Sequence, residues 1–294
     1  MSELKSMNFF KGLGSYFDKV QRMRKIGGMI SDELLISKEK VELLASICKT
    51  DLTSDLVGEF PELQGLMGGY FSEHQGFDKD ISLAISEQYL PIGLNSMVPK
   101  KPFSVALSMT DKIDTLVGFF GINEKPTSSK DPLALRRIAL GIIRTTIENR
   151  KNLKINDLLN YSSRLYDDQG YNLENKDLQK ELQDFLKDRF RYYLKDKEIR
   201  YDIIEATLSS FSLNNLFSSF EKAKCLNKVI NTQIGIDINS SYKRASNILD
   251  HEMKNNEIEI NDTTDPGIFK SEFEKNLYEK INNTFDKSKS IPVK

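Results

Sequence analysis

The stretch EFPELQGLMGGYF, Glu59–Phe71, puts one proline, three glycines, two carboxylates and several aromatics into thirteen residues between segments of helical period. Read as an open loop it would be a binding or catalytic loop; read as a corner between helices it extends an all-α chain. The apolar spacing favours the corner. Pro61 suits a first helical turn, and Leu63, Leu66, Met67 and Tyr70 recur at i, i+3, i+4 and i+7 as one apolar face. Gly65, Gly68 and Gly69 then permit close approach of a second helix.

Outward from this stretch the same period continues. Val41, Leu44 and Cys48 share a face before it, and Ile81, Ala84, Ile85 and Tyr89 share one after it, stopped by Pro91. A helix is expected from Asp131, with Pro132 at its first position and Leu135, Ile138 and Ile142 on its apolar face. Further helices are expected at 178–194, 202–209 and 216–231. The last begins at Ser271 with Glu274 three residues on, a capping box, and carries Phe273, Leu277 and Ile281 on a stripe that needs a partner. Glu257–Ile260 is the best strand signal, and it is short. The fold class is all-α.

Composition narrows the function classes. The chain has 294 residues, 42 Lys plus Arg against 43 Asp plus Glu, and no global bias toward nucleic acid or membrane. Locally, residues 1–30 carry six basic and two acidic side chains, a net of +4, and 251–294 carry nine acidic and seven basic, a net of −2. Cys48 and Cys225 form no CxxC motif, which fits a reducing cytoplasm, and no apolar run reaches the ~18 residues of a membrane span. No membrane partner is expected.

Chemistry-bearing motifs are scarce. Metal-dependent phosphohydrolysis usually draws several histidines from neighbouring helices, and here there are two, His74 and His251, far apart. GxSxG, GxGxxG and the P-loop pattern are absent. The remaining signal is electrostatic. Thr127–Arg137, TSSKDPLALRR, offers a helix N-terminus whose N–H groups attract phosphate, beside Lys130, Arg136 and Arg137. Arg137, Gly141 and Arg144 return to one face, and Gly141 either lets a backbone approach or serves helix packing under a solvated basic face. Lys243 and Arg244 open a further basic helix with Ile248 and Leu249 behind them.

Val57–Phe71 with Ser86–Pro91, and Asp111–Arg137 after them in the same order, resemble the β subunit of bacterial heterotetrameric glycyl-tRNA synthetase. Leu13–Arg24, Phe185–Ser209 and Tyr242–Leu249 are similar to it more weakly. The resemblance implies a degenerate HD-type helical domain over 1–150, a helical connecting region over 151–240, and the beginning of a truncated, DALR-like anticodon-binding domain over 241–294. Where an HD domain holds its His-Asp pair this chain has Thr50-Asp51, and Asp111 resembles the later lone Asp. Two bare carboxylates suit a borderline metal poorly, with magnesium the open alternative.

The activity implied is ATP- and Mg-dependent glycylation of tRNA(Gly) by a cytoplasmic α2β2 enzyme, with adenylate chemistry in the α chain and no catalytic centre or cofactor here. Lys130, Arg136, Arg137, Arg144, Lys243 and Arg244 are the candidate tRNA contacts. An HD-type phosphohydrolase and a module docking the α chain are the alternatives. A long N-terminal half of the family is missing and 252–294 leaves the pattern, which implies a fragment, a split gene product or a decaying copy.

Overall fold

A computed structural model of the chain describes residues 2–255 and 264–290, so the expected strand at 257–260 lies outside the described residues. The chain divides into two compact units, Met1–Asn227 and Lys228–Lys294. The first opens with a two-stranded antiparallel hairpin, β1 (Asn8–Phe10) and β2 (Gly14–Ser15). Helices follow: α1 (Tyr16–Leu34), α2 (Lys38–Ile47), α3 (Asp55–Glu59), α4 (Leu66–His74), α5 (Lys79–Glu87), α6 (Pro102–Gly121), α7 (Leu135–Glu148), α8 (Ile155–Asp168), α9 (Leu178–Asp196), α10 (Tyr201–Ser209) and α11 (Leu216–Val229). The second unit holds α12 (Gln233–Asn255) and α13 (Glu272–Ser290). The all-α fold is therefore present.

The first unit is built around α6. Every residue from Ser104 to Gly121 is buried, so this helix faces protein on all sides. α1, α2 and α5 cover one side, where Met23, Leu44, Ala45, Cys48, Ile81, Ala84, Ile85 and Leu107 form a continuous apolar cluster. α7, α8 and α9 cover the other. Within this compact unit α8 and α9 pack directly onto α6.

Local caps fix the entries. Ser15 Oγ accepts from Asp18 N while Asp18 accepts from Ser15 N, a capping box that starts α1. The Ser271–Glu274 box forms at α13 as expected, and Phe273, Leu277 and Ile281 are exposed along it.

The corner at Glu59–Phe71 is real but differently divided. Pro61–Leu63 is a single 3-10 turn, and Gly65, at φ 82°, breaks the chain before α4 begins. Leu63 therefore does not share a helix with Leu66 and Tyr70. The buried face of α4 is Gly68, Gly69 and Ser72, whereas Leu66 and Tyr70 are 45% and 60% exposed. The expected apolar stripe points outward because the glycines, not the large side chains, let α4 lie on α5.

A Cβ at Gly69 would overlap Ser86 Oγ and stand 2.8 Å from the Ser82 carbonyl oxygen. The serine side chain can rotate but the helix backbone cannot yield locally. Gly69→Val is therefore expected to destabilise the first unit by about 1–3 kcal/mol, read as a lower urea midpoint. Gly58→Ala in α3, where nothing stands within 4 Å, serves as the neutral comparison.

Candidate functional site

Against α6 lies a buried ionic cluster contributed by three elements. α1 supplies Lys19 and Arg22, one turn apart on its buried face. α6 supplies Asp111, Lys112, Asp114 and Thr115, and the chain just after α2 supplies Lys49 and Asp51. Arg22 donates from Nε to Asp114 Oδ1 at 2.6 Å and from Nη2 to Asp114 Oδ2 at 3.2 Å, a fork matched to one carboxylate. Its remaining donors go to Tyr166 Oη at 3.0 Å and Gln169 Oε1 at 2.7 Å. Lys19 Nζ bridges Asp114 Oδ2 at 3.1 Å, Asp111 Oδ1 at 3.3 Å and Thr115 Oγ1 at 2.7 Å. Lys49 Nζ reaches Asp111 Oδ1 at 2.9 Å and Tyr89 Oη at 2.8 Å.

Protonation follows from these neighbours. Burial opposes the charge on Asp111, but the Lys19 and Lys49 ammoniums override it and hold the carboxyl well below its usual range. Asp114 is lowered likewise, with Arg22 and then Lys19 outweighing burial. Burial pushes the Cys48 thiol up to about 12, which leaves it inert as a nucleophile. Lys112 is pulled down to about 7 by burial, with Asp111 opposing and Lys49 adding to the shift. Its Nζ donates to the Leu90 carbonyl at 2.7 Å and Ser108 Oγ at 2.8 Å.

The two positions that the HD-type resemblance singles out have other occupations. Asp51 Oδ2 accepts from Gly65 N at 2.6 Å, so this carboxylate pins the corner at the start of α4. Its Oδ1 is buried without a hydrogen-bond partner among the described residues. Asp111 is bridged by two ammoniums. No group of three His, Cys, Asp or Glu side chains suited to a divalent cation occurs among the described residues. The donor set does not fit a metal: ammonium groups stand against Asp111 where a metal would have to bind.

The candidate tRNA-facing residues are sorted by the same geometry. Lys130 and Arg137 are exposed and make no ion pair among the described residues. Arg136 is partly buried and its guanidinium donates to the carbonyls of Thr127 and Lys130. Arg144 does not share their role: it is 8% exposed, with Nε on Glu148 Oε1, Nη1 on the Gly93 carbonyl and Nη2 on the Ser96 carbonyl, each at 2.8 Å. It clamps the loop that follows Pro91. Gly141 between the two arginines is a packing position, since a Cβ there would stand 2.8 Å from Lys112 Cε.

The start of α7 also differs from expectation. The helix begins at Leu135, after Ala134 in a left-handed conformation, and not at Pro132. Asp131 does cap it, accepting from Leu135 N at 2.8 Å and Arg136 N at 3.0 Å. Those N–H groups are thereby taken, and this helix end offers them to no phosphate. Lys243 and Arg244 lie exposed in the middle of α12 in the second unit, not at its start.

The far end of α7 was not anticipated from sequence. Lys100 Nζ donates to the Glu148 carbonyl at 3.0 Å and Asn149 Nδ2 to the Pro99 carbonyl at 2.9 Å, which joins the start of α6 to the end of α7. Lys101, Arg150 and Lys151 flank that junction, exposed and without ion pairs among the described residues. Each doublet, Lys100-Lys101 and Arg150-Lys151, is visible in the sequence, but the fold alone brings them side by side. α7 has 14 residues and so separates the two basic ends by about 20 Å.

A family model described as glycyl-tRNA synthetase beta subunit matches residues 1–209. The chain belongs to that family. It is 39% identical to the glycine–tRNA ligase beta subunit of Rickettsia canadensis over 95% of this chain and 39% of that protein. To those of Dinoroseobacter shibae and Paracoccus denitrificans it is 33% and 36% identical, over 94% of this chain in each case and 42% and 38% of theirs. The chain thus spans about two fifths of the length of the curated relatives it matches. Among the described residues no helix is long and apolar enough to cross a membrane.

Proposed function

We propose that this chain is a tRNA-binding portion of a glycine–tRNA ligase β subunit and that it grips the phosphate backbone of tRNA(Gly) along α7. The observation that carries the reading is the pair of basic ends of that helix: Lys130 and Arg137 at one, Lys101, Arg150 and Lys151 at the other, all exposed and unpaired among the described residues. Cations left free of carboxylates at the two ends of a rigid helix suit phosphate positioning, and such groups orient the nucleic acid without reading its sequence. Glycylation itself, in the cytoplasm with ATP and Mg, is assigned to the assembly with the α chain, as α2β2. That the relatives are named beta subunits supports such a partner. A metal-dependent phosphohydrolase is not advanced, because the donor set at Asp51 and Asp111 does not fit a metal.

The test is tRNA binding by the purified chain, alone and with the α chain, across salt concentrations. Binding is expected to weaken steeply with salt. The combined reversal Arg137→Glu, Arg150→Glu and Lys151→Glu is expected to weaken it at least ten-fold near 0.1 M salt and to flatten the log–log salt slope by about 0.9 for each phosphate no longer neutralised. Unchanged affinity with an unchanged melting curve would overturn the proposed surface.

A further inference from the structure

Between the N-terminal end of α7 and the loop after Tyr89 lies a cavity of about 350 Å³. Tyr89, Pro91, Ile92, Ala134 and Ile138 form mostly apolar walls. Its polar lining is Asp111, Lys112 and Thr115, with Arg137 exposed and unpaired among the described residues. The charge beneath it does not balance. Lys19, Arg22, Lys49 and Lys112 outnumber the carboxylates Asp51, Asp111 and Asp114 by one, and Arg137 adds a further positive charge at the opening. Burial makes the ionisation of Lys112 costly, with Asp111 opposing that shift and Lys49 adding to it. Two of its three N–H positions are spent on Leu90 and Ser108. An apolar cavity over surplus ammonium, with an unpaired guanidinium beside it, suits a ligand that has a flat apolar body and an attached anion.

We propose that this cavity takes a single unstacked nucleotide, its base against the Tyr89, Pro91, Ile92 and Ile138 walls and its phosphate on Arg137. The choice of a nucleotide over other aromatic anions rests on the tRNA-binding reading above. A bare anion would leave the apolar walls unused, and an uncharged aromatic would leave Arg137 unused. Two sources share this chemistry, a nucleotide splayed out of a bound RNA strand and a free nucleotide. Exposed Lys130, whose carbonyl accepts from the Arg136 guanidinium, would accompany a strand leaving the cavity, and it favours the first source.

The full chain, methyl-labelled at isoleucine, is titrated with adenosine 5′-monophosphate, with inorganic phosphate and with adenosine. Saturable shifts of the Ile92 and Ile138 methyl signals are expected with the monophosphate, at a half-saturation at least ten-fold lower than with either fragment. Arg137→Ala, a change at an exposed position that leaves the fold intact, is expected to raise that half-saturation at least five-fold. Displacement of the monophosphate by tRNA assigns the site to an RNA nucleotide, and saturation without displacement assigns it to a free one. Equal binding of inorganic phosphate and the monophosphate, or an unchanged half-saturation in Arg137→Ala, overturns the proposal. If the cavity stays empty while tRNA still binds through the ends of α7, this proposal fails and the phosphate-gripping one stands. Loss of tRNA binding with the monophosphate still seated is the reverse case.

Discussion

Asp114→Asn is expected to lower the stability of the first unit by about 3–5 kcal/mol, a large part of what a domain of this size possesses. The carboxylate is fully buried and is the only group that receives both the Arg22 fork and a Lys19 hydrogen bond among the described residues. An amide has nearly the same shape, so the change creates no cavity. It leaves two buried cations facing a neutral group that also presents an N–H, and desolvation of those cations is no longer offset. Arg22 cannot turn away, because its guanidinium lies 3.7 Å from the Tyr166 ring centroid and is tied to Gln169. The measurement is urea denaturation. Adding Arg22→Met to Asp114→Asn is expected to recover part of the loss, since it removes one stranded charge; no recovery would show that the pair is not the source.

The same carboxylate makes a pH signature. Its folded-state pKa lies below the ordinary value of 3.8, because Arg22 and Lys19 more than offset burial. Between the folded and unfolded values the unfolded chain binds more protons. The stabilisation is therefore fully present above about pH 4 and is lost as pH falls through the folded value. The gap between the native chain and Asp114→Asn should stay constant from neutral pH down to about 4 and narrow below it. A gap that opens toward acid instead would contradict the ion-pair account.

The amphipathic helices were legible because they are half-buried. Val41, Leu44 and Cys48 lie on the buried face of α2 and its C-terminal cap, and α9 to α11 fall within a few residues of their expected ranges. α6 carries no such signal. A helix surrounded by protein has no polar face to create a period, and its Asp111, Lys112 and Asp114 read as surface residues until Lys19, Arg22 and Lys49 are seen opposite them. The outward stripe of α4 failed for a related reason: periodicity assumes that large apolar residues are the ones buried, whereas three small ones let backbones approach more closely. At the site, Lys130 and Arg137 were legible as exposed charge beside a helix start. The acceptor role of Asp131 and the packing reading of Gly141 were legible too, whereas the fate of Arg144 was not, because it depends on the carbonyls at 93 and 96, partners chosen in space.

Arg144 allows a sharp separation between charge and shape. Arg144→Lys keeps the charge, and a phosphate-binding residue would tolerate it with little change in stability. The geometry expects otherwise. The guanidinium makes three hydrogen bonds at once, two of them to carbonyls three residues apart in the loop and one to Glu148 a turn further along α7. An ammonium on a flexible stem cannot span that set. Arg144→Lys is therefore expected to cost about 1–3 kcal/mol, and Arg144→Leu, which leaves both carbonyls and Glu148 without their partner, about 2–4 kcal/mol. The loop carries Ile92, Leu94 and Met97 exposed at its surface, and Pro91 and Ile92 form one wall of the nucleotide cavity. Limited proteolysis should accordingly cut between 92 and 98 several-fold faster in both variants, with Leu the faster, while Arg137→Ala leaves the rate unchanged. Native stability and proteolysis in Arg144→Lys would return Arg144 to the set of surface charges and remove the clamp from this wall.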